Sequence, residues 1–174
     1  HFDEGACRYC YKGEIKNRNG DLSRNSYFPS GECVVKVFKK KVAKTSSDLN
    51  EDFKNSIYAN KVSKIFNSSK LGKNFYDLIF VLPFAASLEN YAKFNLFFFI
   101  PIRNDDSMAK IKKDEWLAVE PFLEGKYEKF ISNTNEINTF GDALPTFMHW
   151  NWVYSRGEKV VSDIQGVIKN VIII

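Results

Sequence analysis

Cysteine is scarce in this chain. Only Cys7, Cys10 and Cys33 occur among its 174 residues, an odd number and too few for the disulfide framework of a small secreted domain, which points to a reduced, cytoplasmic setting. Cys7 and Cys10 form a CxxC. Residues three apart on a strand face opposite ways, and no second CxxC or histidine pair follows, so no metal or redox pair is expected there. Long apolar runs are missing too. The stretches 78–86 (LIFVLPFAA) and 94–102 (FNLFFFIPI) are about half as long as the roughly 18 to 20 residues a spanning helix needs. Each carries a proline where a strand would end, so both read as buried strands and no membrane partner is expected. The opening residues HFDEGACRYC hold neither an apolar run nor a cleavage-like site, so they do not read as a signal peptide. One sign of charge barely exceeds the other: 25 basic against 21 acidic side chains give +4. Read as spread through both halves, that surplus builds no concentrated basic face, and no nucleic-acid partner is expected.

What the chain does have is apolar mass. At 44% hydrophobic and 16% aromatic residues it can bury a real core without staples, which excludes disorder as its main state. Residues 6–15 alternate as a strand, NRNGDLSRNS after them is turn-rich, and ECVVKVFKKK is a second strand. Asp48 with Glu51 three residues on is a helix-start signal. Leu49, Phe53, Ile57, Val62, Ile65 and Phe66 then predict one apolar helix face ending near Asn67. Two apolar strands, a charged loop (NDDSMAKIKKDE), a strand over 116–122, an irregular polar link, a helix from Asp142 and a last strand over 158–164 complete the order. Strand, strand, helix, strands, helix, strand is α+β with an antiparallel sheet first.

Three places could carry chemistry. Lys36 sits in VVKVF with Val34 and Phe38 on its own face. It is either a cleft lysine that holds phosphate oxygens or the outward residue of an amphipathic strand. The run of Lys39, Lys40, Lys41 and Lys44 reads as a solvated strand end. Asp163 and Gln165, two apart in VVSDIQG, project from one face if the segment is extended, with Gly166 allowing a turn behind them. An acid beside a neutral oxygen donor can orient a hydroxyl and coordinate Mg²⁺. His149 in FMHWNW reads as a satisfied histidine of an aromatic helix before it reads as a ligand.

The stretches EWLAVEPFLEGKYEKFISNTN and FMHWNWVYSRGEKVVSDIQGV resemble the alpha-kinase family. These are atypical serine/threonine protein kinases that include elongation factor 2 kinase, the myosin heavy chain kinases and the channel-fused kinases. FDEGACRYCYKGE and CVVKVF resemble the family's opening strand and its lysine strand. The resemblance implies a two-lobed protein-kinase-like fold over 1–174, with an antiparallel-sheet N-lobe at 1–119 and a hinge and partial C-lobe at 120–174. It implies ATP and Mg²⁺ as cofactors, a protein substrate presenting Ser or Thr, and transfer of the ATP γ-phosphoryl group. Carried over position by position, Lys36 and Arg8 would contact the ATP phosphates, and main-chain groups of Glu120 and Phe122 would pair with adenine. Asp163 would be the catalytic aspartate, Gln165 a Mg²⁺ ligand, and His149 one of four ligands of a structural zinc module.

The departures also speak. Where the family continues to a T-D-P segment this chain reads IKNVIII, and the equivalent of its aspartate is Ile173, which cannot bind Mg²⁺. The other zinc ligands and the glycine-rich loop would lie beyond Ile174, so a C-terminal truncation is expected, and structural zinc only if that segment exists. Helix 49–66 offers Lys36 no clear glutamate partner: Tyr58 lies near the place, with Glu51 and Asp52 at the helix start. Losing a metal carboxylate costs several kcal/mol of transition-state stabilisation, roughly 10³-fold or more in rate. The alternative is therefore a pseudokinase or scaffold fragment that binds nucleotide or a protein partner without catalysis.

Overall fold

The computed structural model describes residues 3–4, 8–24, 28, 30–39, 42–89, 102–103, 109–110, 114–131, 142–168 and 172–173. In chain order the elements are β1 (Asp3–Glu4), β2 (Arg8–Glu14), β3 (Glu32–Phe38), α1 (Asn50–Ser68), β4 (Leu78–Ile79), β5 (Phe84–Ser87), β6 (Ile102–Arg103), β7 (Ala109–Lys110), β8 (Trp116–Pro121), β9 (Tyr127–Lys129), α2 (Ala143–Tyr154), β10 (Gln165–Ile168) and β11 (Ile172–Ile173). This is the expected α+β class. The chain forms two compact units, 1–53 with 83–122, and 54–82 with 123–174.

The first unit is built on a sheet in the order β1-β2-β3-β8-β5, with antiparallel neighbours throughout. Strand alternation sorts its residues by face. Tyr9, Cys33, Val37, Leu117 and Val119 are buried on one side, and Phe28, whose ring meets Phe84 edge-on at 5.4 Å, helps cover it. The ladder places Arg8 opposite Phe38, Cys10 opposite Lys36 and Lys12 opposite Val34, which puts these residues together on the other side. The turn-rich segment after β2 is closed by Asn17, whose Oδ1 accepts from the Asn19 and Asp21 N–H groups at 2.9 and 3.0 Å. β6 and β7 form a short antiparallel pair in the same unit.

The second unit carries a sheet in the order β4-β11-β10-β9, where only β4 and β11 run parallel. Its core joins Ala59, Val62 and Phe66 of α1 to Leu144 and Phe147 of α2, with Leu78, Phe80, Phe130, Ile131 and Ile164. The rings of Phe66 and Phe147 meet edge-on at 5.3 Å. Asparagines finish the packing. Asn67 donates to the Leu78 carbonyl at 3.0 Å and accepts from the Leu78 N–H at 3.1 Å, so its amide stands in for a neighbouring strand. Fully buried Asn151 donates to Tyr58 Oη at 2.7 Å and accepts from the Val161 N–H at 2.9 Å. Gly72 admits the Phe66 carbonyl so closely that a Cβ would collide with it.

Several expectations are corrected. The helix start lies one signal earlier: Asp48 accepts from the N–H groups of Lys44 and Thr45 at 2.8 and 3.0 Å and caps a 3-10 turn over Ser46–Leu49 that leads into α1. Ile57 is 57% exposed instead of inward, because the buried stripe is Ala59, Val62, Ser63 and Phe66. The run 78–86 is two short strands in different sheets. Pro83, which has no N–H to give a ladder, stands where the chain passes from the second unit to the first. Residues 158–164 form no strand; the strand starts at Gln165. The reading of 94–102 lies outside the described residues except for Ile102, and so does the polar link at 132–142 except for Asp142. Among the described residues no helix is long and apolar enough to cross a membrane.

Candidate functional site

In the first unit the candidate residues share the less buried face of the sheet. Lys36 and Glu120 form an ion pair at 2.5 Å, with 29% and 19% of their side chains exposed. The register sets Val34 against Glu120 and Lys36 against Ala118, so the pair is diagonal across β3 and β8, within reach of long side chains. The carboxylate that α1 does not supply thus arrives from β8. Arg8 is held by Asp52 at the start of α1 and lies over the Phe38 ring at 3.5 Å from its centroid. A planar guanidinium suits both contacts, and its fork geometry is what bidentate phosphate recognition uses. Lys12, two residues on from Cys10, pairs with Glu32 at 2.6 Å and sits over the Phe122 ring at 4.2 Å. The Phe122 N–H donates to the Glu32 carbonyl at 3.2 Å. The Phe122 N–H is thus engaged within the sheet edge.

Three cations therefore stand on one face, each matched to a carboxylate. Pairs this close to the surface are worth little in water, and together they leave the face near charge balance. Lys12 escaped the sequence reading, although its parity with Arg8 along β2 was a usable signal. Behind this face the Cys33 thiol is pushed up from its ordinary value by burial, with a Gly13 main-chain hydrogen bond opposing the shift.

In the second unit, Asp163 is paired with Lys129 at 2.7 Å. Its backbone is left-handed (φ 54), a conformation that aspartate tolerates better than most residues. Asp163 and Gln165 therefore do not share one face of an extended segment, because the chain turns at Asp163. What fixes the turn is Ile164. Its side chain is 1% exposed, and its carbonyl accepts from the N–H groups of both Phe130 and Ile131, at 2.9 and 3.0 Å. Asp163 is thus presented on an anchored bend, while Gln165, the first residue of β10, is paired with Lys129 of β9. Lys129 also escaped the sequence reading, since YEKF gave no period from which to infer a strand.

A divalent ion of the Mg²⁺ type keeps several waters and takes only one or two protein oxygens beside phosphate oxygens. Asp163 and Gln165 offer such oxygens, and Ile173, where the resemblance implies a further aspartate, lies in β11, paired with Val167. Zinc fits poorly. His149 is exposed on α2, and no group of three His, Cys, Asp or Glu among the described residues could hold a metal ion. Cys10 and Cys33 belong to the other unit.

Comparison with known proteins bears on the whole chain. The Alpha-kinase family model matches residues 3–173. The human transient receptor potential cation channel subfamily M member 6 is 34% identical over 61 residues, 33% of this chain and 3% of that protein. Myosin heavy chain kinase B of Dictyostelium discoideum is 27% identical over 168 residues, 95% of this chain and 18% of that protein. Among solved structures, an alpha kinase from Entamoeba histolytica superposes with a TM-score of 0.65 at 25% identity, over 99% of this chain and 59% of that one. The alpha-kinase domain of myosin-II heavy chain kinase A, solved in complex with AMP-PNP, superposes at 0.62 with 18% identity, over 99% of this chain and 69% of that one. The chain thus spans only a small part of the curated relatives it matches. A match that runs from the first strand to the last, joined to the same fold, settles the family: this chain belongs to the alpha-kinases.

Proposed function

We propose that this chain is an ATP-dependent serine/threonine protein kinase domain, which transfers the ATP γ-phosphoryl group to a hydroxyl of a protein substrate. The observation that carries this reading is the Lys36–Glu120 pair. A lysine with its stem on an apolar strand and its charge fixed by a half-buried carboxylate is what phosphoryl transfer needs at the nucleotide phosphates. Lys36 and Arg8 bind phosphate oxygens. Main-chain groups of Glu120 and Phe122 would pair with adenine once the Phe122 N–H leaves the Glu32 carbonyl, and 1–119 acts as the nucleotide lobe apart from 54–82, which pack in the second unit, with 120–174 as hinge and partial catalytic lobe. Asp163 orients the substrate hydroxyl and takes up its proton as the oxygen bonds to the γ-phosphorus and the bond to the leaving ADP oxygen breaks. Lys129 holds the Asp163 carboxylate in place. Gln165 would supply an oxygen to Mg²⁺, which neutralises phosphate charge when bound.

One observation favours a second reading, nucleotide binding without transfer. Ile173 stands in β11 where the family resemblance places a metal-binding aspartate. Thermal unfolding with and without Mg²⁺ and ATP tests the common part of both. The unmodified chain is expected to gain stability with ATP, by an amount set by the ratio of ATP to its Kd, and Lys36→Ala to lose most of that gain. No ATP shift in the unmodified chain would remove both readings.

A further inference from the structure

The segment that carries Asp163 is held on both sides of its bend. Ser162 and Asp163 are exposed, and the residues flanking them are fixed to different elements of the second unit. On one side, buried Ile164 gives its carbonyl to the N–H groups of Phe130 and Ile131. On the other, the Val161 N–H donates to Asn151 Oδ1 at 2.9 Å. Only Ser162 and the aspartate lie between these anchors.

Asn151 lies in α2 and is 0% exposed. Burying an amide costs free energy unless its ends are bonded, and an apolar side chain would fill the same space without that demand. The other end of the amide donates to Tyr58 Oη at 2.7 Å, which sets the direction of the amide and keeps its oxygen toward Val161. Tyr58 meets the same segment a second time, because the Lys159 ammonium sits over its ring at 4.9 Å from the centroid. Lys159 is held in turn by Ser155, whose Oγ accepts from the Lys159 N–H at 3.0 Å and donates to the Lys159 carbonyl at 2.8 Å. Tyr58, near the helix position where a partner for Lys36 is expected, thus serves the second unit.

Asp163 needs such restraint. Its left-handed backbone (φ 54) is costly for a residue other than glycine and persists where the surroundings fix it. Release of Val161 would let 161–163 relax toward extended chain and draw the carboxylate away from Lys129. A displacement of about 1 Å at a reacting group can cost about 10²-fold in rate.

We propose that Asn151, aligned by Tyr58, is a positioning residue for phosphoryl transfer: it holds Val161 so that the Asp163 carboxylate stays where it orients the substrate hydroxyl. Both side chains act through the backbone at Asp163, and the role rests on the reading of Asp163 as the group that orients that hydroxyl.

Steady-state phosphoryl transfer to a basic Ser/Thr peptide by the full chain, with active sites counted by ATP titration, tests it. Tyr58→Phe keeps the ring under Lys159 and is expected to lower kcat per site about three- to tenfold, and Asn151→Ala about tenfold or more, with the Kd for ATP changed less than about twofold in both. Amide hydrogen exchange is expected to quicken at Val161 in both variants and to stay slow in the middle of α2. Unchanged kcat per site in Tyr58→Phe, a matching loss of ATP affinity, or exchange that quickens throughout its α2 as for a merely structural residue, would each overturn the positioning role. Tyr58→Phe decides alone if Asn151→Ala does not fold. No transfer from the unmodified chain would overturn the kinase reading and the positioning role with it, and exchange at Val161 would then still report whether Asn151 holds the bend.

Discussion

Lys36 holds its charge beside Glu120, and the pair gives the residue scale its sharpest prediction. If Glu120 acts by positioning Lys36, Glu120→Gln weakens ATP binding about tenfold in the unmodified background and less than about twofold when Lys36 is already Met. A double-mutant cycle on titrated Kd values reads this coupling directly. Equal losses in both backgrounds would assign Glu120 a role apart from Lys36. Lys36 itself was legible because VVKVF places one charge among apolar neighbours. Its partner was not, because a diagonal contact depends on the β3–β8 register, and nothing local in the sequence states which strand lies beside which. Cys33 gives a second prediction. Burial raises its thiol in the folded state, so the unfolded chain releases that proton first, and stability falls as pH rises past the unfolded value of about 8.5. Urea unfolding at pH 7.5 and pH 10 is expected to show a smaller alkaline loss in Cys33→Ala, with a single thiol contributing at most about 1.4 kcal/mol per pH unit.

At the scale of elements, α1 shows why a correct helix can carry a wrong face. Its ends were readable from Asp48 and from the polar residues after Asn67, whereas Ile57 was assigned inward because it is apolar. The core instead selected small and aromatic residues, Ala59 and Phe66 among them, that fit against α2 and its neighbours. Asn67 matters beside these apolar positions at the helix end. Asn67→Ala leaves both backbone groups of buried Leu78 without these partners, for an expected loss of about 2–4 kcal/mol in denaturant unfolding. Asn67→Asp is expected to do no better, since it sets an oxygen against the Leu78 carbonyl. The bend at Asp163 marks another limit of pattern reading. SDIQ has the composition of a strand end, and only the hydrogen bonds from Phe130 and Ile131 to Ile164 show that the chain turns before the strand begins.

At the scale of the whole molecule, the chemistry is divided. Arg8, Lys36 and Glu120 belong to one compact unit and Lys129, Asp163 and Gln165 to the other. Fold class and family were legible from long ordered stretches of sequence, and the match over 3–173 agrees with them. The even spread of charge does not hold, since the net +4 hides two lysine-rich stretches without an acidic residue, 33–47 and 53–76, with five lysines each. The central claim is that the nucleotide-side lysine and the bend-borne aspartate serve one reaction. The most direct measurement is incorporation of γ-labelled phosphate into a basic Ser/Thr peptide with Mg²⁺ and ATP, for the unmodified chain, Lys36→Ala and Asp163→Ala. The account predicts incorporation by the unmodified chain and its loss, roughly 10³-fold or more, in each variant. Incorporation that survives either substitution, or none from the unmodified chain, would contradict it.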